Sequence, residues 1–222
     1  MNLYEESLTL PFIVAGWLLF IASFIWAFKT APWHKVDGDR GAQNVLWAAA
    51  LLVFLLWQLS ASLGAGLTFH FLLMTMLTLM FGPQFAMIGM ALALVGVTFE
   101  SGLGWLAFGL NALLMGLVPI LITSLMLKFS KAYLELNFFV YILFNAFFAG
   151  AVGVVISLSL GAWVMWVTEA HTLETLKQSF IAFIPLMSVP EGFLNGLLMT
   201  AVIFLKPHWV SSFNGEFFVK RD

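Results

Sequence analysis

The sequence predicts an all-α integral membrane protein of seven transmembrane helices, N-terminus outside and C-terminus in the cytoplasm. Three observations carry that reading. Of 222 residues, 62% are hydrophobic and only 9% are charged, where a soluble domain carries about a quarter charged residues. The apolar residues gather into seven runs separated by turns or charged segments. The basic residues of the connecting segments, Lys177 apart, follow the first, fifth and seventh runs, the asymmetry that orients polytopic proteins.

Composition also excludes whole classes of function. Net charge is −2, which does not suit a phosphate backbone, so no nucleic-acid partner is expected. There is no cysteine, which removes disulfides, iron–sulfur clusters and thiolate metal sites. The 24 Phe and nine Trp suit lipid-facing surfaces and interface belts, and the 11 Met suit adaptable packing better than metal ligation. The start, MNLYEESLTL, holds Glu5 and Glu6 and no basic residue, unlike the positively charged start of a signal peptide.

Taken in order, the first span covers residues 8–28. The polar loop KTAPWHKVDGDRGAQN follows, and the second span covers 45–63. Gly64, Ala65 and Gly66 make a tight turn into a short third span, 67–81, which stops at Gly82-Pro83. Proline cannot continue the preceding helix but suits the first turn of the next, so the fourth span covers 84–99. Glu100-Ser101-Gly102 breaks it, and the fifth covers 104–127. After the loop KFSKAYLEL the sixth covers 137–160. Residues 168–178 form a short surface helix, and the last span covers 179–205. The whole chain, 1–222, reads as one transmembrane domain. Lys29, Lys35 and Arg40 follow span one, Lys128 and Lys131 follow span five, and Lys206, Lys220 and Arg221 follow span seven. An odd count of seven places all three groups on one side.

Small residues recur along the spans: Gly82, Gly89 and Gly96; Gly109 and Gly116; Ala149, Gly153 and Ser157; Gly192 and Gly196. Such stripes let helices approach closely in lipid, here for internal packing in preference to a groove for a partner.

Polar groups inside a bilayer are costly and mark function. The candidates are His70, Asn111, Asn145, Gln58, Glu191 and Asn195. Glu191 and Asn195, four apart, share a helix face. A straight helix over 179–205 would run about 40 Å against a core of about 30 Å, so Pro185 and Pro190 predict a break. Ser188-Val189-Pro190-Glu191 reads as a capping box, with Glu191 closing a half-helix. A second reading places the Glu191 carboxylate, with Asn111 and Asn195, in a polar cavity open to the outside. His70 reads as an interfacial histidine that hydrogen-bonds to a neighbour, or as a ligand to a divalent transition metal. No HExxH, P-loop, GxSxG or GxGxxG occurs, so neither an ATPase nor a serine hydrolase is expected, and the protein is read as no enzyme.

The stretch Phe69-His70-Phe71-Leu72-Leu73-Met74-Thr75 through Phe81-Gly82-Pro83-Gln84-Phe85-Ala86 resembles the CbiM/NikM family of energy-coupling-factor transporters. That family shows a helical histidine followed by a Phe-Gly-Pro turn. The resemblance extends to the order of spans and to the Pro-Glu-Gly-Phe-Leu-Asn-Gly run of the last one. It implies a bundle like the substrate-binding S-components of vitamin transporters, in the plasma (inner) membrane of a prokaryote. It implies capture of a divalent cation, cobalt or nickel, with no permanently bound cofactor. It implies partners in trans: a transmembrane coupling subunit and ATPase subunits. The family's metal ligands carry over to Met1 and His70, while position two is Asn2 where the family has His. Asn2 still offers a backbone nitrogen and an amide oxygen. Two rivals stand beside this reading. One is a non-transporting membrane interaction or assembly protein that keeps the fold. The other is an intramembrane enzyme using Glu191 with His70 or His171, which would need such groups within about 3 Å of one another.

Overall fold

A computed structural model describes residues 3–62, 68–102, 104–135 and 137–213. The expected turn at Gly64, Ala65 and Gly66, residues Met1 and Asn2, and the terminal Lys220 and Arg221 lie outside the described residues.

Helix α1, Leu10–Thr30, starts with Pro11 in its first turn and stops before Ala31-Pro32. Helix α2, Arg40–Gln58, is capped by Asp39, whose side chain accepts from the Ala42 amide at 3.0 Å. A two-residue antiparallel pairing, Ala61–Ser62 with Thr68–Phe69, follows. The chain stays non-helical to Leu73 and then forms α3, Met74–Phe81. Gly82, at φ 85°, makes the turn, and Pro83 opens α4, Pro83–Ser101. Helix α5, Phe108–Ala112, runs through a π-helical turn at Leu113–Leu117 into α6, Val118–Tyr133. Helix α7, Phe138–Val140, is capped by Asn137 and runs through π-helical Tyr141–Phe148 into α8, Ala149–Val167. The short α9, Leu173–Ser179, is capped by Thr172, and α10, Ile184–Leu205, precedes a strap formed by residues 206–213.

Among the described residues, six helical stretches are long and apolar enough to cross a membrane: Leu10–Thr30, Arg40–Gln58, Pro83–Glu100, Trp105–Tyr133, Phe138–Val167 and Leu173–Leu205. The third run of the sequence is not among them. Its helix has eight residues, about 12 Å of rise, because helix formation begins at Met74 instead of residue 67. Leu73 sits in the left-handed region at φ 56°, and the amides of Leu72 and Leu73 bond to a side chain from another helix. A tertiary acceptor has replaced the intrahelical one.

The break predicted in the last span falls just before Pro185, where Phe180 and the 3-10 turn Ile181–Phe183 part α9 from α10, and not at Pro190: α10 is continuous from Ile184 to Leu205, with Pro190 inside it. The helix starts at Pro185's own turn, so Pro185 sits where a missing N–H costs nothing. Membrane helices tolerate an interior proline where neighbours satisfy the freed groups.

Helices α4, α6, α8 and α10 pack around α3, whose residues Met74 to Met80 are all buried. Several of the small-residue positions are close contacts within the bundle. A Cβ on Gly109 would lie 2.6 Å from the Trp17 backbone nitrogen, and one on Gly16 would lie 2.8 Å from that of Leu110. One on Gly192 would meet the Phe147 carbonyl oxygen at 2.7 Å.

Candidate cation site at the amino-terminal end of the bundle

Several polar groups singled out in the sequence gather at one end of the bundle. Gln58, at the end of α2, donates to Glu100, near the end of α4, so those two helix ends lie together. Trp57, one residue earlier, is buried. It donates from its indole nitrogen to the Leu72 carbonyl at 3.3 Å, and its ring lies 5.3 Å from that of His70. Glu5 accepts from the Leu106 amide at 3.3 Å and fills the space beside Gly104, which leaves no room for a Cβ there.

The amino-terminal segment enters this end of the bundle. Leu3 is 2% exposed. Its amide donates to Asn111 Oδ1 at 2.9 Å, and Asn111 Nδ2 donates to the Leu3 carbonyl at 2.9 Å. Asn111 thus offers both halves of its amide, as a neighbouring strand would. It is itself buried, so its two polar atoms need those partners.

Glu191 and Asn195 do something the capping-box pattern does not describe. Ser188, half-buried, donates to the Pro185 carbonyl at 2.8 Å, and Glu191 does not cap its own helix. Its two carboxylate oxygens accept from the amides of Leu72 and Leu73, each at 2.8 Å. Asn195 Oδ1 accepts from the Met76 amide at 2.8 Å, and Asn195 Nδ2 donates to the Glu191 carboxylate at 2.9 Å and carbonyl at 2.8 Å. The first amides of a helix have no partner within it, and a carboxylate there also meets the positive end of the helix dipole. Glu191 and Asn195 of α10 therefore cap α3 from outside. Both are buried, and hydrogen bonds to backbone make burial of these groups tolerable.

His70 is 3% exposed. Its Nδ1 lies 3.1 Å from the Phe71 carbonyl, and it sits two residues before the amides held by Glu191. Phe69 stacks on Phe180 at 4.7 Å. The histidine is thus carried on a non-helical segment pinned by Trp57, Phe180 and Glu191. The other expected members of a metal set, Met1 and Asn2, lie outside the described residues. Among the described residues no three His, Asp or Glu side chains gather into a group that could hold a metal ion. Asn145 is elsewhere: its Oδ1 accepts from Ser130 at 2.8 Å, and its Nδ2 has no partner among the described residues.

Sequence reasoning had singled out Asn111, Glu191 and Asn195 but not their partners, which are the backbones of Leu3, Leu72, Leu73 and Met76. Backbone acceptors and donors leave no trace in residue type. Trp57 was missed altogether; a tryptophan at the end of an apolar run reads as an interface anchor.

Two solved structures share this architecture. The crystal structure of a transition metal transporter matches with a TM-score of 0.78 and 19% identity, covering 92% of this chain and 93% of that one. A truncated transition metal transporter matches with a TM-score of 0.77 and 19% identity, covering 92% of this chain and 99% of that one. At such identity the likeness establishes the fold. No curated protein sequence matches the chain. A family model described as the cobalt uptake substrate-specific transmembrane region, CbiM, matches residues 2–209. With nearly its whole length in that match, on a bundle of apolar helices, the chain belongs to the CbiM family of multi-pass membrane proteins.

Proposed function

We propose that this protein is the cation-capturing membrane subunit of a transition-metal uptake system, with cobalt or nickel as its substrate. The observation that carries the reading is the two-way bond between Leu3 and Asn111. It seats the start of the chain at the bundle end that also holds buried His70. In this reading Met1 and Asn2 supply an amine, a backbone nitrogen and an amide oxygen, and His70 supplies an imidazole nitrogen. Such donors suit late first-row divalent ions. Asn111, Glu191 and Asn195 form the polar surround, acting as positioning residues that fix the two segments bearing the ligands.

The same reading gives the chain seven crossings. Six are the long helices, and the seventh is the non-helical stretch 68–73 followed by α3. Residues 68–72 add at most about 3.3 Å each, and with the rise of α3 they approach the roughly 30 Å of a bilayer core. Seven crossings put Lys29, Lys35, Arg40, Lys128, Lys131 and Lys206 on one side, taken as the cytoplasm of a prokaryotic cell. The site then faces outward. The chain carries no nucleotide-binding motif, so a coupling subunit and ATPases in trans would drive release of the cation.

Equilibrium binding of Co²⁺ and Ni²⁺ to the purified protein tests the site. Saturable binding by the wild type and at least a tenfold weaker constant for His70→Ala support it. Equal affinities in the two proteins remove His70 from the site, and no binding by either removes the reading.

A further inference from the structure

Helix α3 is held at both ends by one continuous stretch of chain. At its amino end Glu191 and Asn195 take the amides of Leu72, Leu73 and Met76. At its carboxyl end the chain following α10 returns to it. The Ser211 amide donates to the Met80 carbonyl at 2.9 Å, and the Ser212 amide donates to the Leu79 carbonyl at 3.3 Å. Ser212 Oγ also donates to the Leu79 carbonyl at 2.7 Å. That leaves Ser212 Oγ as acceptor for the Tyr141 hydroxyl, 2.6 Å away. The last carbonyls of a helix lack intrahelical partners, so this strap caps α3 as Glu191 does, from the other end.

The strap has two faces. Val210 and Phe213 are buried against the bundle, while Lys206, Pro207, His208 and Trp209 are exposed. Beside it lies a cavity of about 290 Å³, bordered by Met80, Phe81, His208, Trp209 and Ser211 among others. The inner face is engaged with α3, and His208 and Trp209 of the outer face border the cavity.

We propose that the strap and the Glu191 anchor are energetically coupled through α3, so that lifting the strap loosens the His70-bearing segment at the opposite end. A one-turn displacement of a single-turn element could be absorbed locally. An eight-residue buried helix is close-packed along its length and cannot yield at one end without shifting at the other. A partner that engages the exposed face of the strap would thereby act on the far site without touching it. The linkage needs no bound cation, so it stands or falls apart from the uptake reading.

Hydrogen exchange of the full-length protein in lipid nanodiscs, without added metal, tests it. In a Tyr141→Phe/Ser212→Ala variant the amides of Leu72, Leu73 and Met76 should exchange on the order of tenfold faster, the scale of one lost hydrogen bond. The Trp17 amide, at the α1–α5 contact, should not change. Unchanged exchange at Leu72 and Leu73 overturns the proposal, and so does an equal rise at Trp17, which signals general loosening. If that variant is too unstable, a double-mutant cycle of Glu191→Gln with Ser212→Ala decides the matter in thermal unfolding. Coupled sites give non-additive losses; strictly additive losses reject the linkage.

Discussion

Glu191 and Leu73 lie 118 residues apart in sequence and are joined by a 2.8 Å hydrogen bond from the Leu73 amide to the Glu191 carboxylate. With the companion bond from Leu72, this contact decides where α3 begins and keeps the preceding segment out of the helix. It ties the acidic residue of the last long helix to the backbone two and three residues after His70.

Removing that carboxylate should therefore cost more than a surface hydrogen bond. Glu191→Ala leaves two buried amides without acceptors, at about 1–3 kcal/mol each. Glu191→Gln keeps one acceptor oxygen and should cost less. Thermal unfolding in detergent ranks the three proteins; equal midpoints for wild type and Glu191→Ala would show that the carboxylate does not hold α3.

Asn111 bonds to Leu3 in both directions, so the two halves of its amide can be separated. Asn111→Asp keeps the acceptor for the Leu3 amide but loses the donor to the Leu3 carbonyl. Asn111→Leu loses both. Neutral hydrogen bonds contribute about 0.5–1.5 kcal/mol each, so Leu3 amide exchange should rise in the order wild type, Asp, Leu. If the start of the chain supplies cation ligands, the affinity for Co²⁺ falls in the same order. Unaltered Leu3 exchange in Asn111→Leu would count against the clamp.

The glycines separate into those that need a bare backbone and those that do not. Gly109→Ala drives a Cβ to 2.6 Å from the Trp17 nitrogen. Helix backbones must then part, at about 1–3 kcal/mol for overpacking. Gly89→Ala meets Ala50 and Leu77 at 3.8 Å, ordinary contact, and should be neutral or slightly stabilising because alanine is the better helix former. Comparing the two melting temperatures tests this; similar losses in both would mean the stripes act through something other than close approach.

Topology can be read directly, because the chain has no cysteine. Single cysteines at Asp37 and at Gln178 should react with an impermeant maleimide from opposite sides of intact cells. Gln178→Cys is labelled from outside, and Asp37→Cys only after permeabilisation. Labelling of both from the same side would reject seven crossings with the N-terminus outside.

The membrane character and the positions of most spans were legible in the sequence, for a direct physical reason. A helix in lipid must be long, apolar and internally hydrogen-bonded, and each of these leaves a mark in composition and length. Gly82-Pro83 was equally legible, since a positive φ followed by a fixed φ admits few residue types. The polar residues were legible as anomalies: Asn111, Glu191 and Asn195 stood out because buried polar groups in an apolar run need partners.

What they partner was decided by the tertiary structure alone. The run 67–81 has the apolar content of a helix, and local propensity has no term for a carboxylate arriving from residue 191. Glu191 takes the Leu72 and Leu73 amides, so the helix starts late and His70 lies on non-helical backbone. The same carboxylate, read locally, looked like the cap of its own helix, because a capping box and a cap across helices use the same residue type. Sequence by itself determined a bundle of apolar helices with a few buried polar side chains. Which backbone each of those side chains holds was settled only when helices distant in sequence came within 3 Å, the range over which a hydrogen bond exists.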